Sequence, residues 1–202
     1  MEMMIDVERE IRRFAWRDVS PRAELLFAAK TFAAWSTFGC ALATLSKWPR
    51  ASGSWAYMGQ AAADALGANL WNVMGVGGCA LIGLMVIVPR SARLARAASG
   101  VWANTFAVGC LGIGVLAGRL PFALAGPGIP AWQAAVCGAV GVILLAYMVA
   151  LNGMAWYFGF LARSAAEGGV FGEKLAEVDL RLRAIVGTLL VAGPLALLAL
   201  EH

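Results

Sequence analysis

The chain has 202 residues, of which 61% are hydrophobic and 14% are charged, a balance too apolar for a soluble globular domain. Its formal net charge is +4, but the basic residues flank apolar segments, where they orient a membrane protein and contact anionic lipid, so nucleic-acid binding is not expected. The composition therefore predicts an all-α, polytopic integral membrane protein.

Residues 1–20 are predicted to form an amphipathic helix on the cytoplasmic side. Four apolar residues recur at helical spacing among charged ones: Met4, Val7, Ile11 and Phe14. Ser20 and Pro21 are suited to the N-cap and first position of the next helix. The many charges before the first apolar run do not resemble a cleavable signal peptide. Two placements of the helix stay open, on the inner leaflet or on a protein partner.

Five apolar segments within residues 21–200 are predicted to cross the membrane as one helical bundle. About 20 helical residues cross the hydrocarbon layer, and residues 69–88 supply 20 without a formal charge. The fifth segment contains Gly187 and Pro194, so it either crosses or lies at the interface. The segments cover approximately residues 23–46, 69–88, 101–118, 131–161 and 184–200.

Two of the connections carry a pattern of their own. The connection after the second segment is predicted to be a short basic loop, with arginines at every third position from Arg90 to Arg96. After the fourth segment, residues 168–169 are both glycine and predict a hinge before a second amphipathic helix. Four apolar residues would lie on one face of that helix: Phe171, Leu175, Val178 and Leu182.

The distribution of lysine and arginine predicts the orientation. With the N-terminus in the cytoplasm, 13 of the 16 basic residues lie inside, and five crossings then place the C-terminus outside. A bacterial inner membrane is the expected location. Residues 201–202 resemble the start of an affinity tag and are left out of functional reasoning.

Few residues are suited to catalysis or metal binding. The single histidine is His202, so no histidine-ligated metal or haem site and no Ser-His-Asp site is expected. All four cysteines lie within predicted crossings without a Cys-x-x-Cys spacing, which indicates packing rather than redox chemistry: Cys40, Cys79, Cys110 and Cys137. The sequence therefore predicts no catalytic residue, no metal and no cofactor.

Polar residues inside or beside the crossings are the remaining candidates for a site. An outer cluster is predicted from Asp64, Asn69, Asn72, Arg119 and Gln133, with a salt bridge between Asp64 and Arg119. An inner cluster is predicted from Lys30, Asn104, Thr105 and Asn152. These residues either line a solute or ion pathway or form hydrogen bonds between helices. The apolar residues between the two clusters favour the second alternative, with Asn72 as the deepest polar group of the outer cluster.

Small residues at helical spacing predict close contacts between helices. They form three groups: Gly75, Cys79 and Gly83; Gly114 and Gly118; Gly138 and Gly141. The pattern indicates a tightly packed bundle but not dimerisation, and the oligomeric state is not predicted.

The favoured function is a non-enzymatic subunit or assembly factor of an inner-membrane complex, for example in secretion or transport. Its partners would be lipid and, through the two amphipathic helices, other proteins. The alternative is a small channel or transporter for an ion or small solute, with the outer cluster as its vestibule. An enzyme or redox protein acting on lipid or quinone is disfavoured by the histidine content.

Overall fold

The computed structural model describes residues 2–46, 57, 68–126 and 128–200. Throughout these residues the regular structure is helical and there is no strand, which confirms the predicted all-α class. The helices are α1 (Glu2–Phe14), α2 (Pro21–Ser46), α3 (Ala68–Ile87), α4 (Ala92–Leu124), α5 (Ala131–Ala166), α6 (Val170–Glu177) and α7 (Leu180–Leu200).

Three of these helices are long and apolar enough to cross a membrane: α2, α4 and α5. Residues Val73–Ile87 of α3 form a shorter apolar helix. By length and composition, therefore, three of the five predicted crossings meet this criterion within the described residues.

Helix α4 is much longer than the predicted crossing at residues 101–118. It begins at Ala92 because the Oγ of Ser91 accepts a hydrogen bond from the Leu94 N–H at 3.4 Å, as an N-cap does, and the alanine-rich start favours helix. It continues through Pro121, which lies in its last turns, where the missing N–H removes a single backbone hydrogen bond. The basic connection is therefore a short turn before α4, and two of its three arginines belong to the helix.

The predicted second amphipathic helix is interrupted. Helix α6 ends at Glu177, and Val178 has an extended backbone with φ −66° and ψ 141°. The Oδ1 of Asp179 accepts a hydrogen bond from the Arg181 N–H at 2.6 Å and starts α7 there. Leu182 therefore belongs to α7. At the other end, Gly168 has a φ of +79°, a left-handed conformation that stops α5.

The chain forms two compact units. The first unit contains Met1–Ala29, Asn72–Thr105 and Ala155–His202, and the second contains Lys30–Trp71 and Phe106–Met154. Helices α1, α6 and α7 belong to the first unit, whereas α2, α3, α4 and α5 contribute residues to both.

In the first unit, α1 packs on the C-terminal part of α5, and α3 packs on α7. Ile11 of α1 is fully buried in a cluster with Phe160 and Leu161 of α5. Helices α3 and α7 approach through two glycines, since a Cβ on Gly83 would lie 2.6 Å from the carbonyl oxygen of Gly187. A Cβ on Gly187 would lie equally close to the carbonyl oxygen of Gly83. The backbones of α3 and α7 are therefore in direct contact.

In the second unit, α2 and α4 also meet at glycine. A Cβ on Gly114 would overlap the backbone carbonyl of Ser36, and one on Gly118 would lie 2.7 Å from the Cys40 carbonyl oxygen. The predicted pair Gly114 and Gly118 thus forms a contact between two helices of the same chain.

Of the other two glycine groups, the pair on α5 packs on α4 and the group on α3 is used only in part. A Cβ on Gly138 would lie 3.3 Å from the side chain of Leu124. A Cβ on Gly141 would lie 2.8 Å from the side chain of Leu120, so this glycine packs on the end of α4. At Gly75 a Cβ would meet no atom of the described residues within 4 Å. Of the predicted group on α3, Gly83 therefore makes the backbone contact and Gly75 does not.

Candidate functional site

The predicted outer polar cluster lies only partly within the described structure. Asp64 and the side chains of Asn69 and Asn72 lie outside it. Arg119 is partly buried in α4, and Gln133 is exposed near the start of α5. The salt bridge between Asp64 and Arg119 therefore stays a prediction.

The predicted inner polar residues differ in their environments. Lys30 and Asn104 are exposed. Thr105 is buried, and its Oγ1 donates a hydrogen bond to the Val101 carbonyl at 2.9 Å within α4. The hydroxyl of Thr105 is thus used locally by its own helix.

Asn152 joins two helices of the second unit. Its side chain on α5 is completely buried, and its Nδ2 donates to the Phe106 carbonyl at 3.1 Å and to the Cys110 Sγ at 3.1 Å, both on α4. Such interhelical hydrogen bonds contribute about 0.6–2 kcal/mol in membrane proteins. The geometry of Asn152 agrees with a role in packing.

A more elaborate polar arrangement lies where α1 meets α5, and the sequence pattern alone does not predict it. Arg163 at the end of α5 forms an ion pair with Glu24 of α2, which is 139 residues away in the chain. The guanidinium of Arg163 also lies over the ring of Trp16, 5.7 Å from its centroid. This geometry combines an ion pair with a cation–π contact at a partly buried position.

Two further hydrogen bonds hold α1 at this position. The Oγ of Ser164 donates to the carbonyl of Phe14 at 2.6 Å, which satisfies an acceptor in the last turn of α1. The hydroxyl of Tyr157 donates to Glu10 at 3.4 Å. Helix α1 is therefore fixed to α5 by polar contacts as well as by the burial of Ile11.

Aromatic rings fill the space beneath these contacts. The ring of Phe160 stacks with Trp16 at a centroid distance of 6.0 Å and with Trp156 at 6.2 Å. Phe14 meets Phe171 of α6 edge-on at 5.9 Å. We call α1, its connection to α2 and residues 156–164 of α5 the N-terminal platform. The run of aromatic residues at 156–160 is the sequence signal that indicates it.

The contacts with α5 leave the first turn of α1 uncovered. Met3, Met4 and Ile5 are 81%, 64% and 50% exposed, whereas Ile11 is fully buried. Met4 lies on the same helical stripe as Ile11, two turns away. The apolar stripe therefore extends beyond the part of α1 that the chain itself covers.

Comparisons of the chain with protein-family models, with curated protein sequences and with solved structures gave no match. Within the described residues, no group of three or more histidine, cysteine, aspartate or glutamate side chains could hold a metal ion.

Proposed function

We propose that this protein is a non-enzymatic integral subunit or assembly factor of a multi-component inner-membrane complex, for example a secretion or transport machine. We further propose that α1 is its contact with a partner protein. One observation carries this proposal: the chain holds the C-terminal half of α1 firmly, while the apolar first turn projects uncovered.

The charges of α1 favour a protein partner over the membrane surface. The helix carries four acidic and three basic residues, whereas helices that lie on anionic lipid are rich in lysine and arginine. Two of its charge pairs, Arg9 with Asp6 and Arg12 with Glu8, are within 3.4 Å and exposed on the arginine side. Mixed charges around an apolar anchor are suited to a protein interface, where they fix the orientation of the partner.

Rigid attachment of α1 supports the same function. Burial of a side chain such as Ile11 contributes about 1.5–3 kcal/mol. Because α1 is ordered before a partner binds, less conformational entropy is lost in forming the complex. The helix is thus a preformed docking element on a membrane-embedded scaffold.

The proposed scaffold has five crossings, with the N-terminus in the cytoplasm. Helices α3 and α7 have 20 and 21 residues, which corresponds to about 30 Å of helix each. The contact of Gly83 near the end of α3 with Gly187 in the early part of α7 supports neighbouring antiparallel crossings.

Topology reporters test this arrangement. A reporter inserted after Glu167 is expected to be cytoplasmic, and a reporter after Leu200 is expected to be outside, because α7 crosses between them. Alkaline phosphatase activity and green fluorescent protein fluorescence report the two sides, and an insertion after Gly126 serves as the outside control. Cytoplasmic fluorescence from the Leu200 fusion would show that α7 does not cross.

Site-specific photo-crosslinking tests the docking role of α1. A photoreactive residue at Met4, in the chain expressed at its native level, is expected to give one discrete protein adduct. Introducing Met3→Glu beside it should reduce that adduct at least about tenfold, because anchor residues at interfaces contribute 2 kcal/mol or more. The measurement is the adduct yield at an unchanged amount of protein in the membrane.

The matched control is the same photoreactive residue at Met154. That side chain is 53% exposed on α5, inside a predicted crossing, and is expected to react with lipid. Lipid adducts alone at Met4, or the same protein adduct at both positions, would overturn the assignment of α1 as the docking element.

A further inference from the structure

An open cavity of about 500 Å³ lies in the first unit, between the α3–α4 turn, the last turn of α5 and helix α6. Arg90 lines the cavity from the turn, and Glu173 and Glu177 line it from α6. The two glutamates are four residues apart on one helix and therefore share a face. The cavity thus has one cationic and two anionic groups on separate elements.

The three charged side chains of the cavity do not form ion pairs with one another in the described structure. The ion pairs found among the described residues join α1 residues with one another and with Arg22, or join Glu24 to Arg163. Arg90, Glu173 and Glu177 belong to none of them. The cavity is therefore lined by one cationic and two anionic side chains that these ion pairs do not include.

Small residues keep the walls of the cavity in place. A Cβ on Gly169 would overlap the side chain of Ser164, and one on Gly172 would lie 3.2 Å from the Cα of Ala165. Helix α6 is thereby packed directly against the end of α5. The positions of the two glutamates relative to α5 are set by this backbone contact.

The cavity also lies at a defined level of the helices. Pro89 and Arg90 closely follow α3, and Ala165 is in the last turn of α5, so apolar helices end at the cavity. Under the proposed orientation, on which this step rests, that is the level of the lipid head groups in the cytoplasmic leaflet. Phospholipid head groups are the abundant small ligands at this depth of the membrane.

We propose that this cavity binds the head group of a phospholipid that carries a primary ammonium, in chemical terms a phosphoethanolamine. The guanidinium of Arg90 contacts the phosphodiester, and the carboxylates of Glu173 and Glu177 accept hydrogen bonds from the ammonium. The volume lies within the roughly 300–1,000 Å³ of small-molecule sites. The glutamates disfavour anionic lipids, and a trimethylated head group lacks the N–H donors that they require.

Native mass spectrometry of the full chain tests the proposal. The protein is released from nanodiscs that contain equal parts of phosphatidylethanolamine, phosphatidylcholine and phosphatidylglycerol, and the retained lipids are counted. We expect phosphatidylethanolamine to be retained about tenfold over each of the others, because hydrogen bonds between charged groups distinguish them. Equal retention of the three lipids would overturn the proposal.

Charge-removing variants locate the site. The double variant Glu173→Gln/Glu177→Gln should abolish the preference for phosphatidylethanolamine over phosphatidylcholine, and Arg90→Gln should reduce retention of both. Glu167→Gln and Arg93→Gln are exposed controls that do not line the cavity and should keep the wild-type pattern. A preference that survives the double variant would place the binding elsewhere and overturn the assignment.

Two further measurements accompany this experiment. The first distinguishes binding of the head group alone from binding of the whole lipid, and the second tests the membrane orientation on which the proposal rests. Soluble glycerophosphoethanolamine that displaces the lipid assigns the site to the head group itself, whereas retention of the lipid against it assigns a contribution to the acyl chains. If the reporter after Glu167 proves to be outside, the proposed orientation fails while the lipid preference is still measured independently. The two proposals therefore fail separately.

Discussion

The variant Gly114→Ala is expected to lower the free energy of unfolding by about 2–3 kcal/mol, at the upper end of the usual cost of overpacking. A Cβ at this position overlaps the carbonyl oxygen of Ser36 and lies 2.7 Å from its carbonyl carbon and 2.8 Å from its Cα. These are backbone atoms of α2, so no side-chain rotation relieves the contact. Helices α2 and α4 must separate, and the dispersion contacts along their interface weaken.

The control for this variant is two residues away on the same helix. Within the described part of the chain, a Cβ on Gly112 meets no atom within 4 Å. Gly112→Ala is therefore expected to be neutral or to stabilise by up to about 1 kcal/mol, because alanine favours helix over glycine. Both variants are compared with the wild type by detergent-induced unfolding followed by circular dichroism. Equal stability of the two variants would show that α2 and α4 do not meet at Gly114.

The variants Gly83→Ala and Gly187→Ala are each expected to destabilise the protein by about 1–3 kcal/mol. The two glycines face each other, and a Cβ on either would lie 2.6 Å from the carbonyl oxygen of the other. The double variant should cost less than the sum of the single variants, because the displacement that accommodates one methyl group also makes room for the second. The coupling is measured as a double-mutant cycle from the three unfolding free energies.

Matched controls exist on both helices of this pair. A Cβ on Gly77 of α3 or on Gly193 of α7 would meet none of the described atoms within 4 Å, so the alanine variants at these positions should not destabilise the protein. Additive effects of Gly83→Ala and Gly187→Ala would contradict direct contact between them. If the control variants also lost stability, the destabilisation would be due to the loss of glycine in general and not to the contact between Gly83 and Gly187.

These glycine contacts between helices bear on the proposed function because lipid provides little hydrophobic driving force for helix association. Close backbone approach at Gly83 and Gly114 supplies dispersion contacts in its place. In the first unit, the contact at Gly83 joins α3 to α7, and α1 packs on α5 while Met3 and Met4 stay exposed. Weakening of the platform should therefore reduce partner crosslinking before it affects membrane insertion.

Much of the helical architecture could be predicted from local sequence. The structure begins α2 at Pro21, directly after Ser20, and α3 covers Ala68–Ile87 where residues 69–88 were predicted to cross. Helix α3 depends on an apolar run without a formal charge, and α2 depends on its Ser20–Pro21 start and on an apolar run that contains Lys30. These features are properties of neighbouring residues. The start of α4 was harder to predict because Arg93 and Arg96 suggest a loop, although the alanines between them favour helix.

The candidate site could be predicted less well. The apolar face of α1 can be predicted from the sequence. The residues that bury it cannot, since Phe160 and Leu161 are about 150 residues further along the chain. The same holds for the ion pair between Arg163 and Glu24. Charged residues near the ends of crossings fit the positive-inside pattern equally well with or without a partner, so the sequence contains no signal for this pairing.

The sequence by itself determined that this protein is helical and strongly apolar, with an amphipathic N-terminal segment, because hydropathy and helical period are set by consecutive residues. Only the tertiary structure decided which small residues are contacts: in the described ranges, Gly83 and Gly114 touch a neighbouring backbone, whereas Gly75 and Gly112 do not. It also decided that α1 rests on its own chain with its first turn left uncovered. Both depend on the rotation and proximity of helices far apart in sequence, which spacing along a single helix does not encode.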